Sequence, residues 1–323
     1  MIKVTDLSMT YKVAKKKHGF LGSFKSLIQP DYEYVKALQG INLKVNNGEV
    51  IGFIGPNGAG KTTLLKILSG LIHPTSGEVT VDGYKPFKRS KDFKKNISLV
   101  LGQKSQLMWD IPAMETFHLN RAIYRVEMNN FNELIEELVT ILDVSHRLDT
   151  PVRQLSLGER MKMELIASLI HKPNILFLDE PTIGLDIKSQ IAIREFIKKY
   201  VKTNRTTTII TSHYMEDIKS LCERIVIINE GKILYDGPIT DIYRQREEFK
   251  YISVKTNEGT IKRVSDKLFD VSNKNDMYKL TVHPDNLHDV IRELIQSGNI
   301  QDLTIEKQPI EELILTLLTE TEK

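Results

Sequence analysis

The octapeptide Gly55-Pro56-Asn57-Gly58-Ala59-Gly60-Lys61-Thr62, followed by Thr63, constrains this chain more than any other stretch of it. It fits the pattern GxxxxGK[ST], and its flanks decide how that pattern is read. Glu49-Val50-Ile51-Gly52-Phe53-Ile54 is apolar enough for a buried strand, while Leu64, Leu65, Ile67, Leu68 and Leu71 predict a helix over Thr62–Leu71, apolar around much of its circumference. Strand, glycine turn and buried helix together make a phosphate cradle. Backbone N–H groups of the turn curl around the anion, and the positive end of the helix points at it. In such a cradle Lys61 bridges the β- and γ-phosphates of a nucleoside triphosphate, and the Thr62 hydroxyl ligates Mg²⁺.

A second apolar run, Asn174-Ile175-Leu176-Phe177-Leu178, predicts a buried strand and ends on two carboxylates, Asp179 and Glu180. Beside a phosphate loop, Asp179 is placed to hold Mg²⁺ and Glu180 to deprotonate an attacking water. Ile97–Leu101, Thr206–Ile210 and Arg224–Ile228 read as further strands, alternating with helical segments. That order predicts an α/β fold on a largely parallel sheet covered on both faces. Leu155-Ser156-Leu157-Gly158-Glu159 opens a helix expected over Arg160–Ile170. Ser156 and Gly158 there form a second anion-binding helix end, or Ser156 serves simply as the N-cap.

Composition excludes several function classes. Among 323 residues, 45 Lys and Arg stand against 42 Asp and Glu, a net +3 too small for a broad nucleic-acid surface. The excess sits in residues 1–36, where seven lysines face Asp6, Asp31 and Glu33. No apolar run approaches the roughly 18 residues that span a bilayer, and no signal-like stretch follows Met1. One cysteine, Cys222, leaves no internal disulfide possible and fits a reducing cytosol. Residues 105–150 carry apolar residues at helical spacing, and after about Gly237 short alternating strands predict a small α+β domain over 241–323.

The order of these motifs, with Pro181-Thr182-Ile183-Gly184-Leu185-Asp186 after Glu180 and Thr211-Ser212-His213 after the next strand, closely resembles the ATP-binding subunit of an ABC transporter. The resemblance covers residues 1–240 and implies a P-loop ATPase with a helical subdomain over about 105–170. It implies ATP and Mg²⁺ as cofactors, and a head-to-tail dimer with a second copy or a paralogue. In that dimer Ser156 and Gly158 would reach the nucleotide of the other subunit, and Asp186 would lie across the interface. Gln103, after the strand Ile97–Leu101, matches the glutamine that touches Mg²⁺; its strand-end position favours it over Gln106. His213 matches the γ-phosphate histidine and Tyr11 the aromatic that stacks on adenine. The signature departs from LSGGQ at Leu157 and Glu159.

An insert over 14–33, the Ser-Leu-Gly-Glu-Arg-Met-Lys run and the Pro-Thr-Ile-Gly-Leu-Asp run are similar to the sodium-exporter-like branch of ABC-2 type exporters. That likeness implies separate six-helix membrane subunits, with this chain peripheral on the cytoplasmic face. Within the insert, Phe20, Leu21, Phe24, Leu27 and Ile28 form one helical stripe after Lys15-Lys16-Lys17, suited to an anionic membrane surface or to a protein contact. The alternatives are a soluble ABC ATPase acting on ribosomes, where such members generally join two such domains, or on DNA, where they carry long coiled-coil insertions, and an importer ATPase, which would share every catalytic residue.

Overall fold

The computed structural model describes residues 1–14, 32–102, 105–244, 250–256, 261–262, 264–274, 277–296, 300–306 and 310–320. Gln103 and most of the 14–33 insert, with its apolar stripe, lie outside the described residues. The chain divides into two units, Met1–Gly237 and Pro238–Lys323.

In the first unit β1 (Ile2–Ala14) and β2 (Tyr32–Val45) pair antiparallel, and β3 (Val50–Ile54) leads through the glycine turn into α1 (Lys61–Leu68). Next come β4 (Ser76–Val81), α2 (Lys91–Asn96) and β5 (Ile97–Leu101), then α3 (Ala113–Tyr124), α4 (Met128–Ile141) and α5 (Leu157–Leu169). β6 (Ile175–Asp179), α6 (Ile187–Asn204), β7 (Thr207–Thr211), α7 (Met215–Leu221), β8 (Arg224–Asn229) and β9 (Lys232–Pro238) complete it.

The six strands order as β5-β6-β7-β3-β8-β9, and β2-β1-β4 form a separate antiparallel sheet. From β5 to β8 every pairing is parallel. Their apolar runs are buried on both faces, as parallel sheets require. α1 lies between the sheets, with Leu64, Leu65, Ile67 and Leu68 all 2% exposed or less in one core with Ile2, Leu7, Ile41 and Phe53. This topology gathers the carboxyl ends of β3, β6 and β7 at one edge, where open α/β sheets bind ligands.

Three expectations are corrected at their edges. α1 stops at Leu68 instead of Leu71, because Gly70 turns left-handed (φ +73°). The Leu71 N–H donates to the Lys66 carbonyl at 2.8 Å and the Gly70 N–H to Ile67 at 3.0 Å, the pattern that closes a helix end. α5 starts at Leu157 instead of Arg160 because Ser156 caps it. β1, which the apolar Ile2 and Val4 alone predict as a short strand over Ile2–Val4 leading to Tyr11, runs to Ala14 because β2 pairs with it through Ala14↔Tyr32. The strands β4 and β9 and the helix α6 were not anticipated. β4 has only two buried apolar residues, Val79 and Val81, so it carries little alternation.

In the second unit β10 (Lys250–Lys255), β11 (Leu268–Lys274), β12 (Met277–Val282) and β13 (Asp302–Glu306) form an antiparallel sheet ordered β11-β12-β10-β13. Its core joins Ile252, Val254, Leu280 and Val282 to Val290 and Leu294 of the helix Pro284–Gln296. The helices Ile239–Arg244 and Ile310–Glu320 belong to the same unit. Among the described residues no helix is long and apolar enough to cross a membrane.

Candidate active site

The glycine turn after β3 depends on a residue without a side chain at its last position. Gly60 is the N-cap of α1 at φ +110°, and a Cβ there would stand 2.5 Å from the Ala37 carbonyl oxygen. Next to it Lys61 is 6% exposed, and its ammonium donates to the carbonyls of Gly55 (2.6 Å) and Pro56 (2.9 Å). Burial pulls the Lys61 pKa below the ordinary lysine value, while the nearby charges of Glu180 and Asp179 push it back up. A cavity of about 130 Å³ opens here, lined by Asn57 through Thr63 together with Glu180. Thr63 Oγ1 lies 3.5 Å from the phenol oxygen of half-buried Tyr11 on β1.

At the end of β6 the two carboxylates part. The Thr62 hydroxyl lies 2.9 and 3.1 Å from the two oxygens of Asp179, and the Thr211 hydroxyl donates to Asp179 Oδ1 at 2.6 Å. Glu180 takes a left-handed backbone (φ +54°), unusual for a non-glycine residue and worth roughly 1–3 kcal/mol of strain. Its N–H is held by both the carbonyl (3.0 Å) and the hydroxyl (3.1 Å) of Thr211. So turned, its Oε1 meets His213 Nε2 at 2.6 Å. Phosphate loop, Asp179, Glu180 and His213 therefore stand at one sheet edge, and Tyr11 borders them through Thr63.

Ser156, Gly158 and Asp186 do not line that cavity; Gly158 lies against the turn that Asp186 opens. Ser156 caps α5 in a reciprocal box with Glu159: its oxygen accepts the Glu159 N–H at 3.2 Å, and its N–H donates to the Glu159 carboxylate at 2.8 Å. These bonds, with Arg147 at 2.8 Å, hold the Glu159 pKa below its ordinary value. Exposed Asp186 caps α6 and accepts the Ser189 N–H (3.0 Å) and hydroxyl (2.7 Å). Gly158 packs so closely on this turn that a Cβ would come within 2.9 Å of Ser189 Cβ.

Gln103 falls outside the described residues, but Ser105, Gln106 and Leu107 are tied to α5. The carboxylate of Glu164 on α5, 4% exposed, accepts the Ser105 hydroxyl and the Gln106 (2.9 Å) and Leu107 (3.4 Å) N–H groups. Burial raises its pKa, and those donors oppose the rise. The Gln106 side-chain amide is occupied by the Leu99 carbonyl at 3.0 Å. The sequence motifs give Thr211 no role of its own and do not include Glu164. Their one signal is a polar residue inside an apolar run, Thr211 closing a strand and Glu164 between Met163 and Leu165.

The donor set suits MgATP. Backbone amides with a buried ammonium match phosphate, and a hydroxyl within 2.9 Å of a carboxylate offers the hard oxygen ligands that Mg²⁺ takes. Comparison with known proteins agrees. The ABC transporter family profile matches residues 38–183. The chain is 32% identical over 254 residues to the ABC transporter ATP-binding protein NatA of Bacillus subtilis, covering 78% of this chain and 96% of that one. It is 29% identical over 275 residues to the bacitracin transport ATP-binding protein BcrA of Bacillus licheniformis, covering 85% and 86%. Among solved structures, the dimeric post-hydrolysis state of the cassette MJ0796 bound to ADP and Pi superposes at a TM-score of 0.61 with 25% identity, over 74% of this chain and 98% of that one. Motif, geometry and a relative matched along almost its whole length lead to one assignment: the chain belongs to the ABC transporter ATP-binding proteins and is an ATPase of the P-loop fold.

Proposed function

We propose that the chain is the ATP-hydrolysing subunit of an ABC-2 type exporter, working as a head-to-tail dimer with separate membrane subunits. The observation that carries the catalytic part is the Glu180–His213 contact of 2.6 Å at the rim of the phosphate-loop cavity. The backbone amides of residues 57–62 hold the phosphates, and Lys61 exchanges its two carbonyl acceptors for phosphate oxygens. Thr62, Asp179 and Gln103 would hold Mg²⁺, which when bound would neutralise charge on the phosphoryl oxygens. Glu180 takes a proton from the attacking water, and His213 fixes the carboxylate and the γ-phosphate side of the site. Tyr11 lies against Thr63, where a phenol ring can stack on the base. Exposed Ser156 and Asp186, with Gly158 packed against the Asp186 turn, complete the site of the second copy.

The membrane assignment draws support from the likeness to NatA and from BcrA, whose name records bacitracin transport. It also draws on exposed Met108 (42%) and Trp109 (51%), just beyond the anchored 105–107 segment, which offer an apolar contact to a partner. On this reading the protein works on the cytoplasmic face of a membrane, with residues 15–28 as a further contact. The substrate class resides in the membrane subunits.

Glu180→Gln, trapped with ATP and purified from solubilised membranes of its host, is expected to carry an integral protein of about six spans. Lys61→Ala is expected to lose it. Recovery from the soluble fraction with ribosomal or DNA-bound material would overturn the transporter reading while leaving the catalytic residues untouched.

A further inference from the structure

Asp217, on α7, is fully buried at 0% exposure, and the catalytic account above makes no use of it. Its Oδ2 accepts two hydroxyls, from Thr182 and from Ser212, the latter at 2.6 Å. Thr182 follows Glu180 by two residues, and Ser212 immediately precedes His213. Both hydroxyl residues are buried, at 1% and 3% exposure. Its other oxygen, Oδ1, accepts no hydrogen bond among the described residues and lies 3.6 Å from Arg194 Nε of α6, the helix that Asp186 caps.

Stability alone is a poor reason for such a residue. A buried carboxylate pays a large desolvation penalty, and apolar side chains of similar size commonly serve as well or better. What an apolar residue cannot do is hold two chain segments by their hydroxyls at once. Glu180 sits in a strained left-handed conformation that persists only where its surroundings over-determine it. Thr211 fixes its N–H side, and on its C-terminal side Thr182 is the first residue whose side chain can be held by a hydrogen bond, to Asp217.

We propose that Asp217 is a positioning residue for ATP hydrolysis. By gripping Thr182 and Ser212 it sets the 2.6 Å Glu180–His213 contact, and through Arg194 it ties that contact to α6. It touches no reacting atom. This rests on the role given to Glu180 above.

The test is a double-mutant cycle on ATP turnover and nucleotide affinity. Asp217→Asn is expected to lower kcat about tenfold while changing ATP affinity less than twofold. In a Glu180→Gln background the same substitution should have almost no further effect on residual turnover, because the contact it sets is already disabled. Thr182→Val and Ser212→Ala, which leave the buried carboxylate in place, should each reproduce part of the kcat loss. They carry the test if Asp217→Asn does not fold. An unchanged kcat, a loss expressed in affinity, or a loss that multiplies fully with Glu180→Gln would overturn the proposal. If Glu180→Gln itself turns over at the wild-type rate, the assignment of Glu180 fails first, a result distinguishable from all of these.

Discussion

His171 illustrates how burial sets chemistry one residue at a time. Its ring stacks on Tyr124 at 3.9 Å, and its Nε2 bonds the Ile97 carbonyl at 3.0 Å, at the start of β5. Burial holds its pKa below the ordinary histidine value, with the Ile97 bond opposing. The unfolded chain accepts this proton near pH 6.5, whereas the folded chain resists it until lower pH. The unfolded state therefore binds more protons in that window, and stability falls as pH drops through it. His171→Gln should lose less unfolding free energy between pH 7 and pH 5 than the wild type in denaturant titrations; an equal loss would contradict this cause. Lys61 is the complementary case, a buried cation whose only described acceptors are two loop carbonyls. Removing a charged hydrogen-bonding group costs roughly 1.5–3 kcal/mol, so Lys61→Ala should weaken ATP binding at least about tenfold in calorimetry. An affinity within twofold of the wild type would remove Lys61 from the phosphate site.

At the scale of elements, two readings of Ser156 meet at the start of α5. It caps the helix, and by family resemblance it also reaches a partner's phosphate. Ser156→Ala should cost about 1 kcal/mol of stability. Ser156→Asp keeps an N-cap and should stay within a few tenths of the wild type in stability, yet its charge would repel phosphate and depress turnover in the dimer. Wild-type turnover by Ser156→Asp would leave the residue a cap and nothing more. The phosphate loop was legible in the sequence because strand, turn and helix follow one another within about twenty residues, and local spacing carries them. Thr211 and Asp217 were not legible. Their places near Asp179 and Thr182 depend on β6 lying beside β7, a pairing of segments some thirty residues apart. β1 was read short for the same reason, since its outer half is half-buried or exposed and finds its partner in β2.

For the whole molecule the central claim is that the first unit hydrolyses ATP through Glu180 while two copies complete each other's sites. Gly158, packed on Ser189 and Asp186, brings together the two segments that the second copy would use. Light scattering should therefore find Glu180→Gln monomeric without nucleotide and dimeric with MgATP; a mass unmoved by nucleotide would contradict the paired site. The most direct measurement remains the steady-state ATPase rate of purified Glu180→Gln beside its ATP affinity. The expected result is a kcat lowered at least about a hundredfold, the scale of losing a general base, with binding within twofold of the wild type. Turnover at the wild-type rate would contradict the role of Glu180 and, with it, this account of hydrolysis.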